Sequence, residues 1–159
     1  MSSDRDRMLD YDRCLEEKIA FLDENRQVIL ATSLDDRVTA RTIDYANDGM
    51  NIYFLSWDHH TKISQIKGNL RVALCRDNVQ IEGVAQILGD PLHKRNEDYS
   101  NVYKQRHPDL YEIFSGIPGM TLVRIMPILF STFYGGRDRR IEYVDIIDTR
   151  AYWKKLEEM

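Results

Sequence analysis

Cysteine is scarce in this chain: Cys14 and Cys75 are the only two among 159 residues. Two thiols build neither a disulfide scaffold nor a four-cysteine zinc site. They fit a reducing compartment. Proline is also scarce, at 4 residues, which with 43% hydrophobic residues excludes collagen-like and wholly disordered readings. No run approaches about eighteen apolar residues, so no membrane-spanning helix is expected. The charged start Met1-Ser2-Ser3-Asp4-Arg5-Asp6-Arg7 has no apolar segment behind it, so no secretory signal is expected and the cytoplasm is the default location. Positive charge is not in excess either. The net charge of −4 argues against a nucleic-acid partner, which calls for a basic face.

Catalytic signatures are also missing. There is no Cys-x-x-Cys, no His-Glu-x-x-His and no Gly-x-Ser-x-Gly. The adjacent pair His59-His60 has no such company and reads as loop histidines, so no metal is assigned. Cys75 lies in an apolar stretch and reads as core; Cys14 lies among charges with no local partner. If the protein is an enzyme, a bound cofactor must supply the chemistry.

What is present is a single domain over residues 1–159, long enough to bury about 70% of its unfolded surface. The spacing of Leu15, Ile19 and Leu22 predicts a helix from Met8 to Asn25. Val28 to Thr32 and Val38 to Ile43, around the polar Leu34-Asp35-Asp36-Arg37, predict a hairpin. Ala46-Asn47-Asp48-Gly49 reads as a turn and Asn51 to Ser56 as a strand. Asp58 to Lys67 reads as a short helix opened by Thr61, with Ile63 and Ile66 inward and Gly68-Asn69 as its stop. Leu70 to Arg76 and Val79 to Leu88 are strands about an Asp77-Asn78 turn, and Gly83 in mid-strand signals a bulge or a close backbone approach. Pro91 to Gln105 and Pro108 to Ser115 read as helices. Met120 to Tyr134 reads as a strand region broken at Pro127, Ile141 to Ile146 as a last strand, and Thr149 to Glu158 as a terminal helix capped by Asp148. The sum is α+β: an antiparallel, six- to seven-stranded closed or half-open barrel with flanking helices.

Three places carry anion chemistry. Arg41 stands near a strand end, where its planar fork can hold an anion, although a solvated outer-face arginine is the commoner fate. Ser56 to Lys62 joins a strand to a helix start, where free N–H groups, a hydroxyl and an ammonium suit a phosphate; an ordinary helix start with an exposed lysine reads the same way. Gly135-Gly136-Arg137-Asp138-Arg139-Arg140 is either an anion grip or a solvated hairpin tip. It lacks the strand-then-helix context of a dinucleotide fingerprint.

Taken in order, Ala31-Thr32-Ser33, Ala40-Arg41-Thr42-Ile43, Ile52 to Ser56, Thr61-Lys62-x-x-Gln65-Ile66, Asn69 to Leu74 and Val79-x-x-Glu82-Gly83-x-Ala85 resemble the pyridoxamine 5'-phosphate oxidase-like, FMN-binding split-barrel family. The likeness spans roughly residues 26–146. It implies a homodimer with FMN at the subunit interface. It implies that Arg41, Thr42 and Ile43 run along the flavin, that Leu55 and Ser56 lie against its ring, and that His60, Thr61 and Lys62 meet its phosphate. The second subunit would contribute Asn78, where the family often has Gln. Tyr134 stands where the vitamin B6 oxidases carry a flavin-side Trp, and Arg137 and Arg140 become candidate substrate contacts. The same comparison puts Glu142 and Val144 where those oxidases carry His and Arg, a loss that argues against pyridoxamine phosphate as the substrate. The function expected is an FMN-binding flavoprotein, an oxidoreductase acting on an unidentified small molecule. The alternative is a non-catalytic flavin-, haem- or deazaflavin-binding protein of the same fold.

Overall fold

The computed structural model describes residues 7–158. Ten strands and four helices follow one another: β1 (Met8–Leu9), α1 (Tyr11–Glu24), β2 (Gln27–Leu34), β3 (Arg37–Asp44), β4 (Ala46–Asp48), β5 (Asn51–Trp57), α2 (Thr61–Gly68), β6 (Arg71–Arg76), β7 (Val79–Gly89), α3 (Glu97–Arg106), α4 (Pro108–Phe114), β8 (Met120–Tyr134), β9 (Arg140–Asp145) and β10 (Arg150–Lys155). All strand pairs are antiparallel and belong to one sheet. The main path runs β1-β10-β9-β8-β7-β6-β2-β3, and β5, carrying β4, branches from β8. This is an α+β split barrel, with ten strands where the sequence reading expects six or seven and with the sheet left open.

The branch explains the split. The first half of β8 pairs β5, from Met120↔Trp57 to Ile125↔Ile52. The second half pairs β9, from Leu129↔Asp145 to Tyr134↔Arg140. Pro127, which has no N–H to give a ladder, lies between these two ladders. It therefore marks a change of partner within one continuous strand rather than a break. On the other edge β7 accommodates it with a bulge: Glu82 faces Leu129 and Gly83 faces Pro127, leaving Ile128 over. Gly83 is required there. A Cβ at this position would stand 2.8 Å from Ile125 Cγ2 and 3.1 Å from the Met126 carbonyl oxygen.

The core fills the space between the curled halves of the sheet. Leu30, Ile52, Phe54, Ile63, Ile66, Leu74, Ile81, Val123, Ile125 and Phe130 are all essentially inaccessible. Helix α1 closes one side. Asp10 caps it by accepting the Arg13 N–H at 2.9 Å, and Asn25 ends it. Its fully buried stripe is Cys14, Lys18 and Leu22, with Leu15 packed on the flank. Helix α2 plugs the barrel with Ile63 and Ile66, as the periodicity predicts.

Several expectations need correction. Met8 belongs to β1, paired with β10, rather than to the first helix. Ala46 to Asp48 is the short strand β4, and the left-handed turn residue is Gly49 at φ +57°. Lys94 to Asn96 is a 3₁₀ turn, and α3 starts only at Glu97. The terminal helix is absent: Arg150–Lys155 pairs β9 over six residues and only Leu156–Glu158 turns helically. Tyr152 and Trp153 favour a pleated surface, and a free sheet edge outweighs the charged, helix-like composition. Cys75 is exposed, because it points away from the core that Leu74 enters. Among the described residues no helix is long and apolar enough to cross a membrane.

A cationic cleft at the start of the second helix

Candidate functional residues converge where β3, β5 and α2 meet. Strand β3 alternates, sending Thr39, Arg41 and Ile43 to the inner side while Val38, Ala40 and Thr42 stay exposed. Arg41 is thus half-buried, and its guanidinium is tied down. Nη1 donates to the Leu30 carbonyl oxygen at 3.2 Å and to Thr32 Oγ1 at 2.8 Å, and Nη2 donates to Thr39 Oγ1. Behind them sits Gln65 of α2, buried, accepting from Thr32 Oγ1 at 2.5 Å and Thr39 Oγ1 at 2.6 Å. Its amide nitrogen donates to the Arg37 carbonyl oxygen at 3.1 Å. Gln65 therefore links the helix that carries Lys62 to the strand that carries Arg41.

Helix α2 begins at Thr61 with His60 as its N-cap residue. The His60 carbonyl oxygen accepts the N–H groups of Ile63 and Ser64, and no side chain caps the first turn. The helix dipole leaves that end partly positive. The Lys62 ammonium lies 3.1 Å from His60 Nδ1. Burial lowers the pKa of Lys62, and the Arg41 charge lowers it further. Desolvation, then Lys62 and His59, lower that of His60. Burial alone lowers that of Arg41. Burial is the first cause of all three shifts, neighbouring positive charge adds to it at Lys62 and His60, and none of the three makes an ion pair with a carboxylate among the described residues. Such a cluster lacks a directly paired counter-charge.

A cleft of about 200 Å³ opens beside this cluster. Thr42, Ile43, Leu55, Ser56, His60 and Lys62 line it together with Asp44, and Tyr103, Leu110 and Phe114 of α3 and α4 close its far wall. Six of the ten residues expected at a cofactor thus meet in one cleft. Arg41 stands in electrostatic contact with it through Lys62. Thr61 is exposed at the helix start and does not line it. The remaining two lie elsewhere. Asn78, in the β6–β7 turn, donates to the Phe133 carbonyl oxygen at 2.8 Å on the outer face of the sheet. Tyr134 lies at the end of β8 with the Arg140 guanidinium 4.8 Å from its ring centre.

The glycine-arginine turn forms a separate recess of about 410 Å³, with Arg137, Arg139, Arg140, Glu142, Trp153 and Lys155 in its wall. Glu142 accepts from Arg140 Nε at 3.1 Å and Nη2 at 3.0 Å. Its carboxylate therefore already neutralises one of the two candidate substrate arginines. His59 is exposed, and no cluster of metal-ligating side chains occurs among the described residues. Sequence reasoning missed the positioning network of Thr32, Thr39 and Gln65 and the wall from α3 and α4. Gln65 follows Lys62 by three positions, so a helical reading puts both on one side; nothing in the sequence shows that Phe114 comes back over β5.

No protein-family model and no curated protein matches the chain. Solved structures do. A pyridoxamine 5'-phosphate oxidase-related, FMN-binding protein from Nostoc punctiforme superposes with a TM-score of 0.65 at 12% identity, covering 94% of this chain and 97% of that one. HutZ, the heme storage protein from Vibrio cholerae, matches with a TM-score of 0.60 at 14% identity, covering 75% and 91%. A FAD-binding protein from Mesorhizobium loti matches with a TM-score of 0.53 at 22% identity, covering 78% and 92%. At these identities what is shared is the fold.

Proposed function

Starting from the pyridoxamine 5'-phosphate oxidase-like split-barrel fold, we propose that this chain is an FMN-binding flavoprotein acting as an oxidoreductase on a small molecule. The observation that carries the reading is that His60 and Lys62 line, and Arg41 adjoins, a cleft walled largely by apolar and aromatic side chains, and that none of the three has a direct ion pair with a carboxylate among the described residues. An anionic phosphate relieves the repulsion between Lys62 and Arg41, and each charge-assisted hydrogen bond to it is worth about 1.5–3 kcal/mol. Leu55, Ile43 and Phe114 present apolar surface to a planar ring, with Thr42 and Ser56 at its margin. Flavin, when bound, supplies hydride and electron transfer; the chain binds, orients and tunes it. No general acid or base is needed in this cleft for that role.

The cleft is shallow for a whole flavin, and Asn78 does not reach it within one chain. We place the missing wall on a second copy. The outer face of the sheet carries Ile29 at 43% and Phe133 at 45% exposure, with Cys75 in register beside Ile29. Asn78 lies in a depression on that same face, with Phe133 and Tyr143. A homodimer packed through this face brings a second Asn78 turn toward each cofactor and buries the apolar residues.

A second reading rests on His60, whose imidazole lines the cleft. It makes the protein a non-catalytic binder of haem or a deazaflavin. One experiment separates the readings: record the absorbance of the purified protein, add FMN, desalt, and record it again. A retained flavin spectrum supports the proposal, and turnover with a nicotinamide reductant supports the oxidoreductase assignment. A haem spectrum that shifts on His60→Ala supports the second reading. Protein that neither carries nor retains FMN overturns the first.

A further inference from the structure

The cationic cleft has a second pole. Besides His60 and Lys62, its lining includes Asp44 and Tyr103. The two ends are electrically separate. Burial, then the Asp44 charge, raises the pKa of the Tyr103 phenol. Asp44 is not among the groups that shift Lys62 or His60, and it forms no ion pair with either. It stands three residues beyond Arg41 on β3, about 10 Å along the strand. The one carboxylate in the cleft therefore marks its opposite end rather than neutralising the cations.

Tyr103 is the unexplained group at that end. It belongs to α3, is only 4% exposed, and its hydroxyl makes no hydrogen bond among the described residues. The hydroxyls of Thr121 and Thr132 also lack partners, but their oxygens are fully enclosed. The Tyr103 oxygen is not among these sealed atoms, and the residue lines the cleft. Phenylalanine fills the same volume without stranding a hydroxyl, so packing alone does not account for the tyrosine.

Asp44 supplies the complement. Gln27 Nε2 donates to its Oδ1 at 2.9 Å, and its other oxygen has no partner among the described residues. The raised pKa keeps the phenol protonated, so it has an O–H to give. The pole thus offers one neutral donor and one anionic acceptor, near enough for the charge of one to act on the other and not bonded to each other. An ammonium leaves the phenol proton without an acceptor, and a carboxylate is repelled by Asp44. A group with an N–H beside a C=O satisfies both.

We propose that the Asp44 and Tyr103 end of the cleft reads the imide edge of a flavin ring, Asp44 accepting the ring N3–H and Tyr103 donating to the neighbouring carbonyl oxygen. The inference rests on the flavin reading above and sharpens it. FMN carries a phosphate at one end and an imide at the other, as the cleft carries cations at one end and a donor with an acceptor at the other. Haem has no such edge, so this pole sets the flavin reading apart from the haem alternative.

The test compares FMN with N3-methyl-FMN by fluorescence titration in the parent, Asp44→Asn and Tyr103→Phe. The parent should bind FMN about tenfold more tightly than the N3-methyl compound, the worth of one hydrogen bond to a charged group. Asp44→Asn keeps the Gln27 contact through its oxygen and turns an amide donor toward N3, so that preference should shrink to about twofold or less. Tyr103→Phe should weaken both flavins alike, by about threefold. Its thermal midpoint should hold or rise, because the lost hydroxyl has no partner in the fold, whereas a packing role alone predicts no change in affinity. Both variants are near-isosteric, and retained circular dichroism shows that each folds. A parent that binds neither flavin overturns the flavin reading and this inference with it. A parent that binds FMN and N3-methyl-FMN equally overturns the inference alone, as does a preference that survives Asp44→Asn or an FMN affinity untouched by Tyr103→Phe.

Discussion

Two ends of this molecule hold basic side chains, and they differ in what surrounds the charge. At the start of α2, Arg41, His60 and Lys62 stand together with no direct carboxylate ion pair among the described residues, though Asp44 lines the same cleft, and each is pushed toward its neutral form. At the glycine-arginine turn, Arg140 is held by Glu142 through two hydrogen bonds and lies over the Tyr134 ring. A count of arginines makes the turn look the better anion site. The structure narrows that lead, because the recess at the turn also holds Asp138, Glu142 and Glu157, and an arginine already paired, as Arg140 is, has little charge left to offer. What marks an anion site is uncompensated, partly desolvated cation density rather than the number of basic residues.

The comparison can be broken experimentally. The largest effect belongs to Lys62→Ala, which should weaken FMN binding about 10- to 150-fold, the equivalent of 1.5–3 kcal/mol. Flavin fluorescence titration checks it, and unchanged affinity would show that the cation cluster is not the phosphate site. Arg140→Ala should leave FMN affinity within about twofold but lower stability by about 1–2 kcal/mol, since Glu142 would be left half-buried without its partner. Chemical denaturation reads that loss, and a large drop in flavin affinity instead would move the site to the turn.

The pH dependence sharpens the same contrast. The His60 pKa is lowered in the free protein, and a bound phosphate raises it, so binding takes up a proton. Affinity for FMN should therefore be greatest below the free-state pKa and fall as pH rises through the bound-state value, by about tenfold for a shift of one unit. His60→Gln should flatten the profile between about pH 5 and 8, where an imidazole of ordinary pKa titrates. A profile unchanged by that variant would show that His60 does not face the anion. The smallest effect is a gain. Glu142→Gln frees Arg140, and inorganic phosphate should then bind at the turn a few-fold more tightly than in the parent, by chemical-shift titration. No gain would mean that pairing is not what disables that end.

Much of the fold was legible in local chemistry. The β2–β3 hairpin, the α2 stop at Gly68-Asn69 and the special role of Gly83 all follow from propensity, turn residues and alternation. The terminal strand β10 was not, because its six residues are charged and helix-like in composition and become a strand only when β9 offers them an edge. Cys75 was misread for a related reason. An apolar strand has two faces, and only the assembled barrel decides which one is inside. At the candidate site the strand-end position of Arg41 and the helix-start position of Lys62 could be read locally, whereas His60 read as a loop histidine and was placed at the site only by the family resemblance. The second ring of Thr32, Thr39 and Gln65 was not, since it joins residues 26 to 33 positions apart.

The sequence by itself determined the class of structure and the local devices: antiparallel strands joined by short turns, an anion-ready helix start, and no nucleophile set. Those follow from backbone propensity and side-chain chemistry within a few residues. Only the tertiary structure decided which cations stay uncompensated, which strand edge β10 completes, and that Thr121 lies buried without a partner. Charge pairing and burial depend on neighbours brought from distant parts of the chain, and no local pattern encodes which neighbours arrive.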